Sequence, residues 1–371
     1  MCLFSTLIDN PKYKPNKKNG GRVPPCFDER IKKVPIGCGQ CMECRKKKSR
    51  EWTARLMEEI KENKNGKMVT LTFSNESIKH LIETAKTKDK KDRNLKIEGT
   101  PLKELKGYEL DNAIATAATR LFMERWRKKH KKSLRHWFVT ELGHNGTENI
   151  HIHGIVWTDE DWEEIRSKWG YGFMYPFTEE QKRKNYVSEQ TINYIVKYVT
   201  KIDRNHEGYK SKILTSAGIG KEYTETRAAE LNKYKPGETQ EEYRTKQGYK
   251  IGLPIYWRNK IYTEEQREKL WIEKLDKNIR WVNGIKIDIS ISEEYYYKVL
   301  KQEQQRNTVL GYGTNQNDWN KIKYEEQRRE LMYETRTNPQ KPPEHWGQEE
   351  RKQQFKNNIK YEGEATLYIQ K

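Results

Sequence analysis

Two hydrophobic periodicities alternate along this chain, and their order predicts a mixed fold. Alternation of period two marks strands, because successive side chains leave a strand on opposite faces. In KMVTLTFSN, Val69, Leu71 and Phe73 alternate with Thr70 and Thr72, and RHWFVTELG and NIHIHGIVW repeat the pattern. The last two runs are joined by HNGTE, a glycine-containing loop suited to a β-hairpin. Apolar spacings of three and four mark helices instead. Trp52, Leu56 and Ile60 follow a cysteine-rich turn at such a spacing, and Leu110, Ile114, Ala117 and Leu121 form one stripe of a helix over 109–129 with a basic end. A short amphipathic helix is predicted between Asp159 and Trp169, then a strand at YGFMYPF. A further helix follows in SEQTINYIVKYVTKI, with Ser188 as N-cap and Glu189 in its first turn.

Polar stretches separate and flank these elements. Residues 1–36, rich in Lys, Pro, Gly and Asn, read as an irregular arm that needs a tether, and 83–107 as a charged surface excursion. Apolar spacing continues to about residue 300, after which Gln, Asn, Glu, Lys and Arg dominate. Four regions are expected: a basic Cys-rich arm over 1–50, a core over 51–205, an extension packing on it over 206–300, and a tail of peripheral helices or disordered chain over 301–371. Since apolar residues (33%) do not outnumber charged ones (34%), one compact domain with polar extensions fits 371 residues better than several cores.

Charge narrows the partners. A formal charge of +19 favours a polyanion, and 22 Tyr with 11 Trp offer faces on which unpaired bases stack, so nucleic acid is the expected partner. No uncharged stretch approaches membrane-spanning length and the start lacks a secretory pattern, so a cytoplasmic location without a membrane partner is expected. SAGIGKEYTE ends like a phosphate-binding loop but fails as one. Thr215 stands where the first Gly is required and Glu222 where Ser or Thr would meet Mg²⁺, leaving Gly218 and Gly220 as turn residues.

Three clusters carry candidate chemistry. His151 and His153 share one strand face, with Ile150 and Ile152 on the other, and Glu141 on the neighbouring strand adds a hard oxygen; together they suit Mg²⁺ or Mn²⁺. His144 and Glu148 in the loop are alternatives. Tyr194 and Tyr198 lie four apart on one helical face, each with a lysine three positions on, Lys197 and Lys201. A phenol of pKa about 10 is a poor nucleophile near neutral pH; a cation on the phosphate and a nearby ammonium both lower the barrier to phosphodiester attack. Cys38, Cys41 and Cys44 sit at tight-turn spacing, and Cys26 or Cys2 would complete a structural zinc site. All five cysteines fall within the first 44 residues, which argues for a local metal site and against a disulfide framework. Arg45, Lys46, Lys47, Lys48 and Arg50 follow as candidate contacts to backbone phosphates.

In these motifs the chain resembles the HUH endonuclease superfamily, and within it the rolling-circle replication initiators of small single-stranded DNA phages of the microvirus group, of gokushovirus type. The likeness rests on TLTF (70–73), HIHG (151–154) and YIVKYVTK (194–201), in that order, whereas plasmid relaxases place the tyrosine first. VPIGCGQCMECRKKKSREW and LPIYWRNKIY also resemble stretches of these phage proteins, so the likeness covers roughly residues 1–285.

The resemblance implies an α+β fold with a five-stranded antiparallel sheet flanked by helices, the histidines on a central strand and the tyrosine helix across the metal. It implies an enzyme of a bacterial host's cytoplasm that nicks origin DNA, single-stranded or supercoiled, through a 5′-phosphotyrosine, frees a 3′ hydroxyl for the host polymerase, and uses the second tyrosine to close a circle. Unwinding falls to a host helicase or to supercoiling, and the order of attack of Tyr194 and Tyr198 stays open. Two rivals are a non-enzymatic zinc-stabilised DNA-binding or transcription factor and a transposase of the same superfamily.

Overall fold

The structure, a computed structural model, describes residues 2–87, 96–97, 100–101, 105–143, 148–206 and 208–314. The stretch expected to be irregular holds a two-stranded antiparallel ribbon, β1 (Thr6–Asp9) on β2 (Lys33–Ile36), with Thr6 opposite Ile36. Helix α1 (Met42–Glu62) follows directly, so the proposed boundary at residue 50 falls inside a helix. Next come β3 (Gly66–Leu71), α2 (Asn75–Thr87), a small pair β4 (Lys96–Ile97) and β5 (Thr100–Pro101), and the long α3 (Gly107–His130).

The predicted hairpin is β6 (Arg135–Leu142) against β7 (Ile150–Trp157). It is followed by α4 (Trp162–Trp169), β8 (Met174–Tyr175), α5 (Glu179–Lys184), α6 (Glu189–Thr200) and β9 (Ile213–Thr215). The strands form a five-stranded antiparallel sheet in the order β8-β3-β7-β6-β9 with helices on both faces, the α+β architecture expected, and β7 is its central strand.

Period-two alternation divides the sheet's side chains between two cores. Val69 and Leu71 of β3, Phe138 and Leu142 of β6, and Ile150, Ile152 and Val156 of β7 pack with Ile114, Ala117, Phe122 and Trp126 of α3. On the other face Trp137, Val139, Ile155 and Trp157 meet Leu56 of α1 and Ile192, Ile195, Val196 and Val199 of α6. Fully burying one such side chain contributes about 1.5–3 kcal/mol, so the apolar face of α6 fixes how that helix lies on the sheet. The start of α6 is fixed as well. Ser188 Oγ accepts the Thr191 amide at 3.2 Å, and Thr191 Oγ1 accepts the Ser188 amide at 3.2 Å, a reciprocal cap.

Gly154 explains the last letter of HIHG. A Cβ there would stand 2.0 Å from Phe138 Cδ1 and 2.7 Å from the Trp137 carbonyl, so only glycine lets β6 and β7 approach at this point. Gly218 and Gly220 are turn residues with φ of +76° and +66°.

Beyond the sheet come α7 (Arg227–Glu230), the pair β10 (Glu242–Arg244) and β11 (Lys250–Gly252), α8 (Ile255–Ile261) and α9 (Glu264–Asp276). Tyr223, Tyr243, Trp257 and Leu270 form a third core that also takes in Ala54 of α1. The hairpin of β12 (Ile279–Val282) and β13 (Ile285–Asp288) then leads to α10 (Glu294–Val309), which carries the fold past residue 300. Val299 of α10 packs with Leu3, Met42, Val282 and Ile287. No described helix is long and apolar enough to cross a membrane.

Candidate active site

The α6 face of the sheet is apolar at one end and polar at the other. Where Trp137, Val139 and Ile155 give way along β6 and β7, the same face presents Glu141, His151 and His153. Register brings them together: Glu141 pairs directly with His151, and His153 is two positions further along β7. Glu141 Oε2 lies 2.8 Å from His153 Nε2 and 3.3 Å from His151 Nε2. One ligand atom from each of the three residues falls within 4.8 Å of the others, and all three side chains are largely buried.

The imidazoles are oriented from behind. Thr70 Oγ1, on the neighbouring β3, lies 3.1 Å from His153 Nδ1, and the Asn149 carbonyl lies 3.4 Å from His151 Nδ1. These contacts leave both Nε2 atoms facing Glu141, the arrangement of a site whose outer partners set the ring orientation of its ligands. Burial pushes the His153 pKa below its ordinary value, against the upward pull of Glu141. A neutral imidazole is the form that coordinates a cation. Two imidazoles and one carboxylate fit Mg²⁺ or Mn²⁺, as the sequence suggested.

Helix α6 lays its tyrosines over this triad. The Tyr198 ring stacks on His153 with centroids 4.0 Å apart and planes 11° from parallel, and the Tyr194 and Tyr198 hydroxyls are 2.9 Å apart. Lys197 Nζ sits 5.7 Å from the Tyr194 ring centroid and Lys201 Nζ 5.8 Å from that of Tyr198. Lys201 also reaches inward and pairs with Glu141 Oε1. The structure therefore gathers Glu141, His151, His153, Tyr194, Tyr198, Lys197 and Lys201 in one place.

The loop alternatives do not join them. Glu148 Oε2 instead meets His206 Nε2 at 3.0 Å, and His144 lies outside the described residues. Thr70 reads in the sequence only as part of a strand; its contact with His153 depends on which strand lies beside β7, and no local pattern encodes that.

The basic run on α1 is dispersed by helical rotation. Arg45 donates to the Lys201 carbonyl at 2.8 Å, Lys46 to Asn283 Oδ1 at 3.2 Å, and Lys47 lies 3.9 Å from Glu51. Lys48 lines a cleft with Trp52, Lys210 and Lys212. Arg50 lines a separate groove beside α6 with Lys61, Lys64, Arg244, Lys246 and Lys250. Cys2, Cys38, Cys41 and Cys44 cluster, whereas Cys26 stands apart and donates to the Asp28 carbonyl at 3.1 Å.

Residues 66–203, from β3 past the end of α6, match the family model of the ORF2-type replication-associated protein. No curated protein and no solved structure matches the chain. The matched segment holds the triad and both tyrosines, so the part of the chain bearing the candidate site is the part similar to replication-associated proteins, which supports a role in DNA replication.

Proposed function

We propose that this chain is an HUH-type endonuclease of the microvirus kind, which nicks and rejoins single-stranded DNA at a replication origin to begin and end rolling-circle replication. The observation that carries the reading is the tyrosine pair stacked against the Glu141–His151–His153 triad, Tyr198 directly on His153 and Tyr194 joined to it through the phenols. The match of this segment to replication-associated proteins supports the substrate and the process.

Glu141, His151 and His153 would hold Mg²⁺ or Mn²⁺, which when bound polarises the scissile phosphate. The chain's own groups do the rest. One phenol oxygen attacks phosphorus as it loses its proton. The bond from phosphorus to the 3′ oxygen breaks, that oxygen takes up a proton, and the 5′ phosphate stays on tyrosine. Since the phenols are hydrogen-bonded to each other, one is held as acceptor with its oxygen oriented, and the ammonium groups of Lys197 and Lys201 favour its anionic form. After one round the second phenol cleaves the regenerated origin, and the released 3′ hydroxyl attacks the first phosphotyrosine to close a circle. The groove bearing Arg50, Lys61, Lys64, Arg244, Lys246 and Lys250 supplies charge for the approaching strand.

The test is incubation with labelled single-stranded oligonucleotides tiled across the origin of the genome encoding the chain, with Mn²⁺, followed by a denaturing gel. A covalent protein–DNA adduct is expected from one segment, and its loss in His151→Ala. Absence of an adduct with every segment, or its persistence in the double variant Tyr194→Phe/Tyr198→Phe, overturns the mechanism.

A further inference from the structure

A second cluster of ligating side chains lies away from the sheet. We propose that Cys2, Cys38, Cys41 and Cys44 hold one structural zinc ion, and that this site fixes the end of the tyrosine helix through Arg45.

The four Sγ atoms all lie within 4.8 Å of one another, with Cys2 and Cys41 3.9 Å apart and Cys38 and Cys44 4.0 Å apart. A zinc ion bound by four thiolates at about 2.3 Å gives sulfur–sulfur edges of about 3.8 Å in a regular tetrahedron. A disulfide requires about 2.05 Å. The observed spacing is that of sulfurs around a common centre.

The backbone is arranged for the same end. Amides of Phe4 and Cys38 donate to Cys2 Sγ at 3.3 and 3.2 Å, and that of Cys41 to Cys38 Sγ at 3.2 Å, contacts that favour the thiolate. Gly39, at φ +75°, turns the chain between Cys38 and Cys41. Cys41 is the N-cap of α1 and Cys44 lies in its first turn, where the helix dipole stabilises negative charge. The apolar wall of Leu3, Met42, Val282, Ile287 and Val299 shields the cluster.

What the site would fasten is legible from its neighbours. Cys2 ties the amino-terminal segment to α1, and α10 closes over both: Gln304 donates to the Leu3 carbonyl at 2.7 Å, and Asn307 Oδ1 accepts the Met42 amide at 2.8 Å. Arg45, next after Cys44, donates to the carbonyl of Lys201, the C-cap of α6. Zinc at the head of α1 thereby sets the position of Arg45 and, through it, the end of the helix that carries Tyr194 and Tyr198. Arg45 is a positioning residue in this role.

Full-length protein purified under reducing conditions without added metal should contain one zinc per chain by elemental analysis. Replacing it with Co²⁺ should produce the sulfur-to-cobalt charge-transfer bands that only thiolate ligands give, so the carboxylate–histidine site does not contribute to the readout. Cys26→Ser should keep the full spectrum, and Cys2→Ser should lose the signature of four sulfurs. Because the wild-type chain carries the first two measurements, a Cys2 variant that fails to fold does not decide the matter. Absence of both zinc and the cobalt–thiolate bands, two disulfides in place of free thiols, or loss of the bands in Cys26→Ser would each overturn the proposal. None of these readouts uses DNA, so they stand or fall separately from the nicking assay.

Discussion

Lys201 enters the triad from the end of α6, and its ammonium rests on the carboxylate that a cation would need. Removing that ammonium should strengthen cation binding. The side chain of Lys201 is 44% exposed and that of Glu141 11%, so the pair is only partly shielded and belongs with surface ion pairs of about 0.2–1 kcal/mol. In Lys201→Met the stem is kept and the charge is lost, and a cation no longer has to displace the pair. At 1.4 kcal/mol per tenfold, the dissociation constant for Mn²⁺ should fall about 1.5- to 5-fold. Titration followed by the electron paramagnetic resonance signal of free Mn²⁺ measures this directly, with His151→Ala as the control that should lose the site. Nicking by Lys201→Met should slow at the same time, since the ammonium beside Tyr198 is gone. Binding of Mn²⁺ that is unchanged or weaker in Lys201→Met would refute the reasoning, because the lysine would then not compete for Glu141.

Gly154→Ala should destabilise the fold by about 1–3 kcal/mol or more, since the new methyl meets Phe138 and the Trp137 carbonyl; an unchanged denaturant midpoint contradicts the close approach of β6 and β7. Glu59 is fully buried and accepts from Arg135 Nη2 at 2.6 Å, Asn63 Nδ2 at 2.7 Å and the Gly220 amide at 2.8 Å, so Glu59→Ala should cost about 3–5 kcal/mol in chemical denaturation. A loss below about 1 kcal/mol would mean that solvent already screens the pair. Burial lowers the pKa of both His136 and His153, so below the ordinary histidine value of 6.5 the unfolded chain binds more protons than the folded one. Stability should therefore be greatest above pH 6.5 and decline as pH falls toward the depressed folded values; melts between pH 8 and 5.5 should show this, with a shallower slope in His136→Asn.

How far the sequence discloses this arrangement depends on the distance over which each feature is encoded. The histidine pair is legible because strand alternation is a two-residue rule, and Glu141 is legible because a hairpin sets its register through one short turn. The tyrosine face follows from helical spacing within α6. Features built between distant segments are not legible in that way. The sequence offered Cys26 and Cys2 equally as a fourth cysteine; the structure brings in Cys2 because the β1–β2 ribbon returns the chain to the head of α1. Thr70 meets His153 only because β3 lies beside β7. The polar composition past residue 300 concealed Gln304 and Asn307, whose side chains satisfy backbone groups near both ends of the cysteine cluster. Polar residues that bury their hydrogen bonds carry the same compositional signal as residues in water.

Helix α1 links these features, although no residue of the carboxylate–histidine triad lies on it. Its first turn carries Cys41 and Cys44, and Arg45 reaches the end of α6. Its middle packs Leu56 with Ile192, Ile195 and Val199, the side of α6 away from the tyrosines. Its last turns hold Glu59 against Arg135 at the start of β6, the strand whose other end supplies Glu141. The helix bearing the phenols and the strand bearing the carboxylate are thus referred to one rigid rod, at opposite ends of it. Strand transfer between two tyrosines requires both oxygens to be delivered to the same phosphate position, and a displacement of about 1 Å is enough to cost two orders of magnitude in rate. Such precision is better supported by a helix clamped at both ends than by loops. Substitutions at the buried contacts of α1 should therefore impair cleavage before they unfold the chain.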